Sequence, residues 1–317
     1  MKDSIPESEA ISTVRTHLSV EQNERCPEDM VLRYLRATGN DTRHTIKRIQ
    51  DTLAWWAIED PTRMYCSACR DKCPHSHYMQ VVGRDLIGRP LIYSCMELAT
   101  NKDIEDNRRH MINIFESAIS LMKPGSNVES WGWILDFHGF SIRDCDPRLA
   151  RVFLHLAATH YPERLGYFYI IDAPLIFSSL WNAIKSFIDP KTRNKITFLS
   201  LQKKVKVQEA FKENFDEETM QWLLNEMEEN RKGGEFGQRK KVYDHAALEK
   251  LGGSMGGDKM AAAVVVVGDG NLDGDRKKEK SKHCHLGTPA FLRELSTWKG
   301  PIPPQLIFNK YQPDTTE

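Results

Sequence analysis

Hydrophobic positions recur along this chain in three different rhythms. Over residues 28–58 they return at steps of three and four. Val31, Leu32, Tyr34 and Leu35 share one side of a turn with Arg33 and Arg36 opposite; Ile46, Ile49, Leu53 and Trp56 follow after the break at Gly39, Asn40 and Asp41. This spacing predicts two helices, the second capped by Asp41 or Thr42, and a small helical bundle over 28–65. The stretch before it, 1–27, is polar and acidic at its start and reads as an arm outside the core.

From residue 78 the rhythm changes. Short apolar runs at 78–82, 90–95, 131–137, 167–171 and 196–199 alternate with stretches of helical period at 107–122, 146–160 and 174–188. Tyr167, Phe168, Tyr169, Ile170 and Ile171 form a run without polar alternation, which predicts a strand covered on both faces. Such strands separated by helices predict a parallel or mixed sheet between helical layers. The expected fold class is therefore α/β: a helical bundle, then a domain over 78–232 on a mixed, mostly parallel sheet. Within it, the acidic stretch 213–229 offers Phe215, Met220, Trp222, Leu223, Leu224 and Met227 for packing.

Beyond residue 232 the rhythm is lost. Glycine pairs, a Gly/Asp-rich tract and the basic run 276–282 make 233–288 too poor in apolar surface to offset chain entropy, so it reads as disordered. Residues 289–317 regain apolar content and are expected to form a C-terminal arm. The longest aliphatic tract, 260–267, is far short of the roughly 20 residues a membrane span needs.

Composition narrows the classes of function. In 317 residues, Lys+Arg 44 balance Asp+Glu 44, which argues against a dedicated nucleic-acid binder. The start lacks the apolar core of a secretory signal, and seven cysteines, an odd number, suit a reducing compartment. A cytoplasmic protein is the expectation. No convincing catalytic set emerges: a Gly-x-Ser-x-Gly elbow is missing around His138 and Ser141, and 83–88 lacks the Gly-Lys-Ser/Thr ending of a P-loop.

Several segments, in order, carry a resemblance. Val31-Leu-Arg-Tyr-Leu-Arg36 is followed by Gly83-Arg-Asp-Leu-Ile-Gly-Arg-Pro-Leu-Ile-Tyr93 and by Asp136-Phe-His-Gly-Phe-Ser141. Tyr161-Pro-Glu-Arg-Leu-Gly166, Ala173-Pro174 and Phe187-Ile-Asp-Pro-Lys-Thr-Arg-Asn-Lys195 come next. Together they resemble the CRAL-TRIO lipid-binding family over about 28–230, specifically its phosphatidylinositol-transfer (Sec-fourteen-like) branch. The resemblance implies a hydrophobic cavity, a phospholipid ligand with phosphatidylinositol favoured, and a transient membrane surface as partner. It implies no enzymatic activity and no required cofactor. It also allows presentation of the lipid to a lipid kinase by a monomeric, peripherally membrane-associated protein.

By position, the headgroup residues of that branch fall on Ser141, Glu163 and Lys195, while Arg143 stands where the branch has a second serine. A lysine neutralises a phosphodiester, a carboxylate accepts from inositol hydroxyls, and arginine grips phosphate as a fork. Without the resemblance, Glu163 is equally a partner for Arg164 or Lys195, and Ser141 a helix cap. The apolar face Phe177, Leu180, Trp181, Ile184, Phe187 and Ile188 reads on pattern alone as a packed amphipathic helix. The resemblance makes it a mobile gate over the cavity.

The remaining cluster is Cys66, Cys69, Cys73, His75 and His77. Cys66, Cys69, Cys73 and His77 in particular suit a tetrahedral structural zinc site, although all fall within one short loop, and a solvated reduced loop remains the other reading. A zinc here would pin the linker 66–77. Other functions also stay open: a carrier of a sterol, tocopherol or retinoid, a lipid-sensing scaffold, or a zinc-dependent binding module.

Overall fold

The computed structural model describes residues 6–69, 76–97, 99–123, 125–141, 144 and 146–232, with two three-residue strands further on. Four helices come first: α1 (Glu7–Thr16), α2 (Val20–Arg25), α3 (Glu28–Ala37) and α4 (Thr42–Glu59). The Asp41 side chain caps α4 by accepting from His44 N, and Ser19 with Gln22 forms a reciprocal capping box on α2. Ala10, Val14, Leu18 and Cys26 pack against Met30, Val31, Tyr34, Leu35, Ile49 and Leu53. The expected arm over 1–27 is thus corrected: 7–25 is helical and supplies part of the bundle core. Arg33, expected on the polar side, is buried and paired with Asp29 at 2.5 Å.

Five strands follow: β1 (Met79–Arg84), β2 (Pro90–Cys95), β3 (Trp131–Asp136), β4 (Leu165–Ile171) and β5 (Ile196–Leu199), side by side in that order. β1 runs antiparallel to β2; the other neighbours are parallel. The parallel crossovers run through α5 (Ile104–Ser120), α6 (Pro147–His160), and α7 (Leu175–Ile184) with α8 (Pro190–Asn194). After β5 come α9 (Lys204–Lys212) and α10 (Glu217–Asn230), and the short strands β6 (Lys241–Tyr243) and β7 (Asn309–Tyr311) pair antiparallel. The rest of 233–317 lies outside the described residues.

Alternation along the strands divides the core. Val81, Ile92, Trp131, Trp133, Phe168 and Ile170 face α5 and α6, meeting Ile112, Phe115 and Leu156. Val82, Leu91, Tyr93, Ile134, Tyr169 and Ile171 face the other way, against Val207 and Phe211 of α9 and Met220, Leu223 and Met227 of α10. The Gly83–Tyr93 segment of the resemblance is the β1–β2 hairpin. The Asp85 carboxylate accepts from Ile87 N, Arg89 N and Arg89 Nε, and the Arg89 guanidinium lies over the Tyr167 ring. Gly88 takes φ +90°, a conformation side chains resist.

Two polar junctions complete the domain. At the carboxyl ends of β3 and β4, Arg231 grips the fully buried Asp136 at 2.6 and 2.7 Å and reaches Asp172 at 2.9 Å. Tyr93 OH and His138 N also donate to Asp136. The bundle, for its part, docks on α6. Tyr34 OH donates to Thr52 Oγ1, Thr52 Oγ1 bonds His160 Nδ1 at 3.0 Å, Arg48 donates to the Ala158 carbonyl, and Trp55 stacks on His160 at 4.0 Å.

Each junction gives an expected outcome. Arg231→Ala leaves a buried carboxylate without its cation, and should lower unfolding free energy by about 3–5 kcal/mol in denaturant titration. Burial, reinforced by His155, Arg48 and Arg108, pushes His160 down to about 4 from the usual 6.5. The unfolded chain therefore binds the extra proton between these values, so stability should fall as pH drops from about 6.5 to about 4. Melts across that window should show a shallower fall for His160→Gln.

Candidate binding cavity

The sheet face toward α5 and α6 is only partly filled by protein. A cavity of about 1000 Å³ opens there, lined by strand residues Trp133, Leu135, Phe168 and Ile170, by Met111 and Phe115 of α5, and by Leu149 and Phe153 of α6. Its floor is aromatic: Trp133 lies 4.9 Å from Phe168 and 5.1 Å from Phe153, and Phe115 stacks on Trp131 at 4.7 Å. The indole N–H of Trp133 donates to Ser94 Oγ at 2.9 Å, so this ring's polar atom is satisfied within the wall.

The segment expected as a gate borders this space. Phe177, Trp181 and Ile188 line the cavity. Phe177 packs 4.6 Å from Phe137, and Trp181 5.3 Å from Phe198. The side chains of Leu180, Ile184 and Phe187 lie outside the described part of the structure. At the start of α7, Leu175 is 92% exposed, and the neighbouring strand presents a half-exposed Phe198.

Glu163 and Lys195 come together in the cavity wall. Glu163 sits in the turn after α6 with φ +59°, and Lys195 follows α8 just before β5. Their charged atoms are 3.8 Å apart, and Lys195 Nζ also donates to the Leu165 carbonyl at 2.7 Å. Lys191 and Thr192 of α8 line the cavity as well. Ser141 does not line the cavity. It is exposed, and both its N and Oγ donate to Asp144 Oδ2 at 2.8 Å, with Asp144 paired to Lys102. Arg143 lies outside the described residues.

At the other end of the cavity, His77 and His110 line the wall. The structure gathers Cys66, Cys69 and His77 and adds His110 of α5, which sequence reasoning missed; Cys73 and His75 lie outside the described residues. Hydrogen bonding to Cys69, with help from His110 and His77, draws the Cys66 thiol far below its usual range despite burial. No local motif announces His110, which stands 41 positions after Cys69.

Residues 75–221 match the CRAL/TRIO domain. The five-stranded sheet and the helices that cross between its strands all lie within that matched segment. A CRAL-TRIO domain-containing protein of Schizosaccharomyces pombe is 33% identical over 172 residues, 54% of this chain and 17% of that one. The SEC14 cytosolic factor of Candida glabrata is 28% identical over 193 residues, 56% and 64%. The phosphatidylinositol transfer protein CSR1 of Eremothecium gossypii is 27% identical over 190 residues, 55% and 43%. The chain thus spans less than two thirds of the length of each of these relatives. Among the described residues, no helix is long and apolar enough to cross a membrane.

Trp131, Trp133 and Trp181 line the cavity, which makes occupancy visible. An amphiphile carrying a nitroxide on its acyl tail should quench tryptophan emission, and Trp133→Phe should reduce the quenched share. Emission untouched by the probe would show that acyl chains do not reach this wall.

Proposed function

We propose that this protein holds a phospholipid in the cavity and exchanges it between membranes, with phosphatidylinositol as the favoured ligand. The observation that supports this most is the aromatic cavity of about 1000 Å³ with a paired carboxylate and ammonium in its wall. That volume sits at the top of the roughly 300–1,000 Å³ that small-molecule pockets occupy. The names of two relatives point the same way: a SEC14 cytosolic factor and a phosphatidylinositol transfer protein.

The physical need is large. At about 0.8 kcal/mol per methylene, exposing one 16-carbon acyl chain to water costs roughly 13 kcal/mol. A carrier removes most of that barrier by offering apolar walls at the bilayer surface. In this reading α7 moves aside there, with Leu175 and Phe198 entering the interfacial layer and Lys191 near anionic headgroups. No bond is made or broken. Lys195 turns from the Leu165 carbonyl to the phosphodiester, and Glu163 accepts from inositol hydroxyls. A second reading is a ligand without a charged headgroup, such as a sterol, tocopherol or retinoid; it is favoured by the hydrogen bond that Lys195 already makes inside the wall.

Native mass spectrometry of the purified chain should find phosphatidylinositol bound. In a vesicle assay, Lys195→Ala should cut phosphatidylinositol transfer at least tenfold while phosphatidylcholine transfer persists. Equal loss of both would remove Lys195 from headgroup choice, and co-purification of a sterol or isoprenoid alone would favour the second reading.

A further inference from the structure

We propose that Cys66, Cys69, His77 and His110 form a structural zinc site that fastens the linker after the bundle to the start of β1 and to α5. All four side chains are buried, and their ligating atoms lie within 4.8 Å of one another. This overturns the solvated-loop reading for these residues. It also removes the strain of placing four ligands in one short loop, because the fourth comes from a separate helix.

Three sulfur–nitrogen distances are close to the edges of a coordination tetrahedron. With Zn–S near 2.3 Å and Zn–N near 2.0–2.1 Å, a sulfur and a nitrogen on one tetrahedral zinc stand about 3.6 Å apart. Here His77 Nδ1 is 3.5 Å from Cys66 Sγ and 3.4 Å from Cys69 Sγ, and His110 Nδ1 is 3.9 Å from Cys69 Sγ. An independent feature sets the tautomer. His110 Nε2 lies 2.9 Å from the Met79 carbonyl, a bond it makes only by donating its proton, which leaves the Nδ1 lone pair facing the thiols. That outer hydrogen bond is how metal-ligating imidazoles are oriented. The two imidazoles stack at 4.5 Å, and Cys69 N donates to Cys66 Sγ.

Charge explains the choice of ion. Two thiolates and a divalent cation sum to zero, whereas two buried thiolates alone would be costly. Two sulfurs and two imidazole nitrogens in a tetrahedron suit zinc. In an iron–sulfur centre with this donor set, thiolates and imidazoles sit on separate irons, which needs a wider spread. Four protein ligands leave no open position, so the ion holds structure and does not catalyse. The linker is already drawn to α5 by Asn113 Nδ2 donating to the Met64 carbonyl, and the metal would complete that seam at one end of the cavity.

The full chain, produced in zinc-supplemented medium, should contain one zinc per chain by elemental analysis. Exchange with cobalt(II) should give the visible absorption of a tetrahedral thiolate site. His110→Cys should keep the metal and strengthen the thiolate-to-cobalt charge-transfer band, while His110→Ala should lose most of the zinc. Folded protein without zinc, a Cys66–Cys69 disulfide by intact mass, iron with labile sulfide in its place, or a cobalt spectrum unchanged by His110→Cys would each overturn the proposal. None of these readouts depends on lipid binding.

Discussion

An apolar space of about 1000 Å³ on one face of a five-stranded sheet is the constraint around which this molecule is arranged. Side chains that face such a space forgo part of the packing contacts that a filled core supplies. The fold therefore has to be secured elsewhere, and the place is the opposite face. There, the strands meet α9 and α10 in a packed layer headed by Tyr93, Phe211 and Leu223. One sheet thus serves as wall to a container and as half of a conventional core.

Buried charge follows the same division. Asp85 with Arg89 shapes the β1–β2 hairpin, and Asp136 with Arg231 closes the far ends of the central strands. Both carboxylates are saturated by donors from the chain itself, which makes them fixtures of the scaffold. Glu163 and Lys195 differ: their contact is long and both remain partly exposed at the cavity wall, so either can change partner at small cost. That contrast separates the saturated ion pairs of the scaffold from a looser one in the cavity wall.

Much of this was legible from the chain. The uninterrupted run at 167–171 announces a strand covered on both sides, and all five strands fall within about two residues of their expected bounds. The bundle was read short because Ala10, Val14 and Leu18 are isolated among polar neighbours, leaving little periodic signal to detect. Arg33 looked solvent-facing because its partner, Asp29, is visible only once the helix brings positions four apart together. Glu163 and Lys195 are singled out by resemblance, not pattern; nothing in the 31 residues between them says they touch. Ser141 is held locally, since Asp144, three residues on, takes its hydroxyl proton, a contact that the spacing alone does not announce. His110 was hidden because it sits in an ordinary amphipathic helix, and only the β1–α5 packing turns it toward the thiols.

The Arg231 junction has a mechanical consequence. It is the last side chain to grip the domain before the chain continues past residue 232, and it holds onto strand ends through three short charge-assisted bonds. Tension on the following segment would load these bonds in shear at the rim of the sheet, on the side away from the cavity. The junction is a mooring point, set on the face of the sheet opposite the chamber.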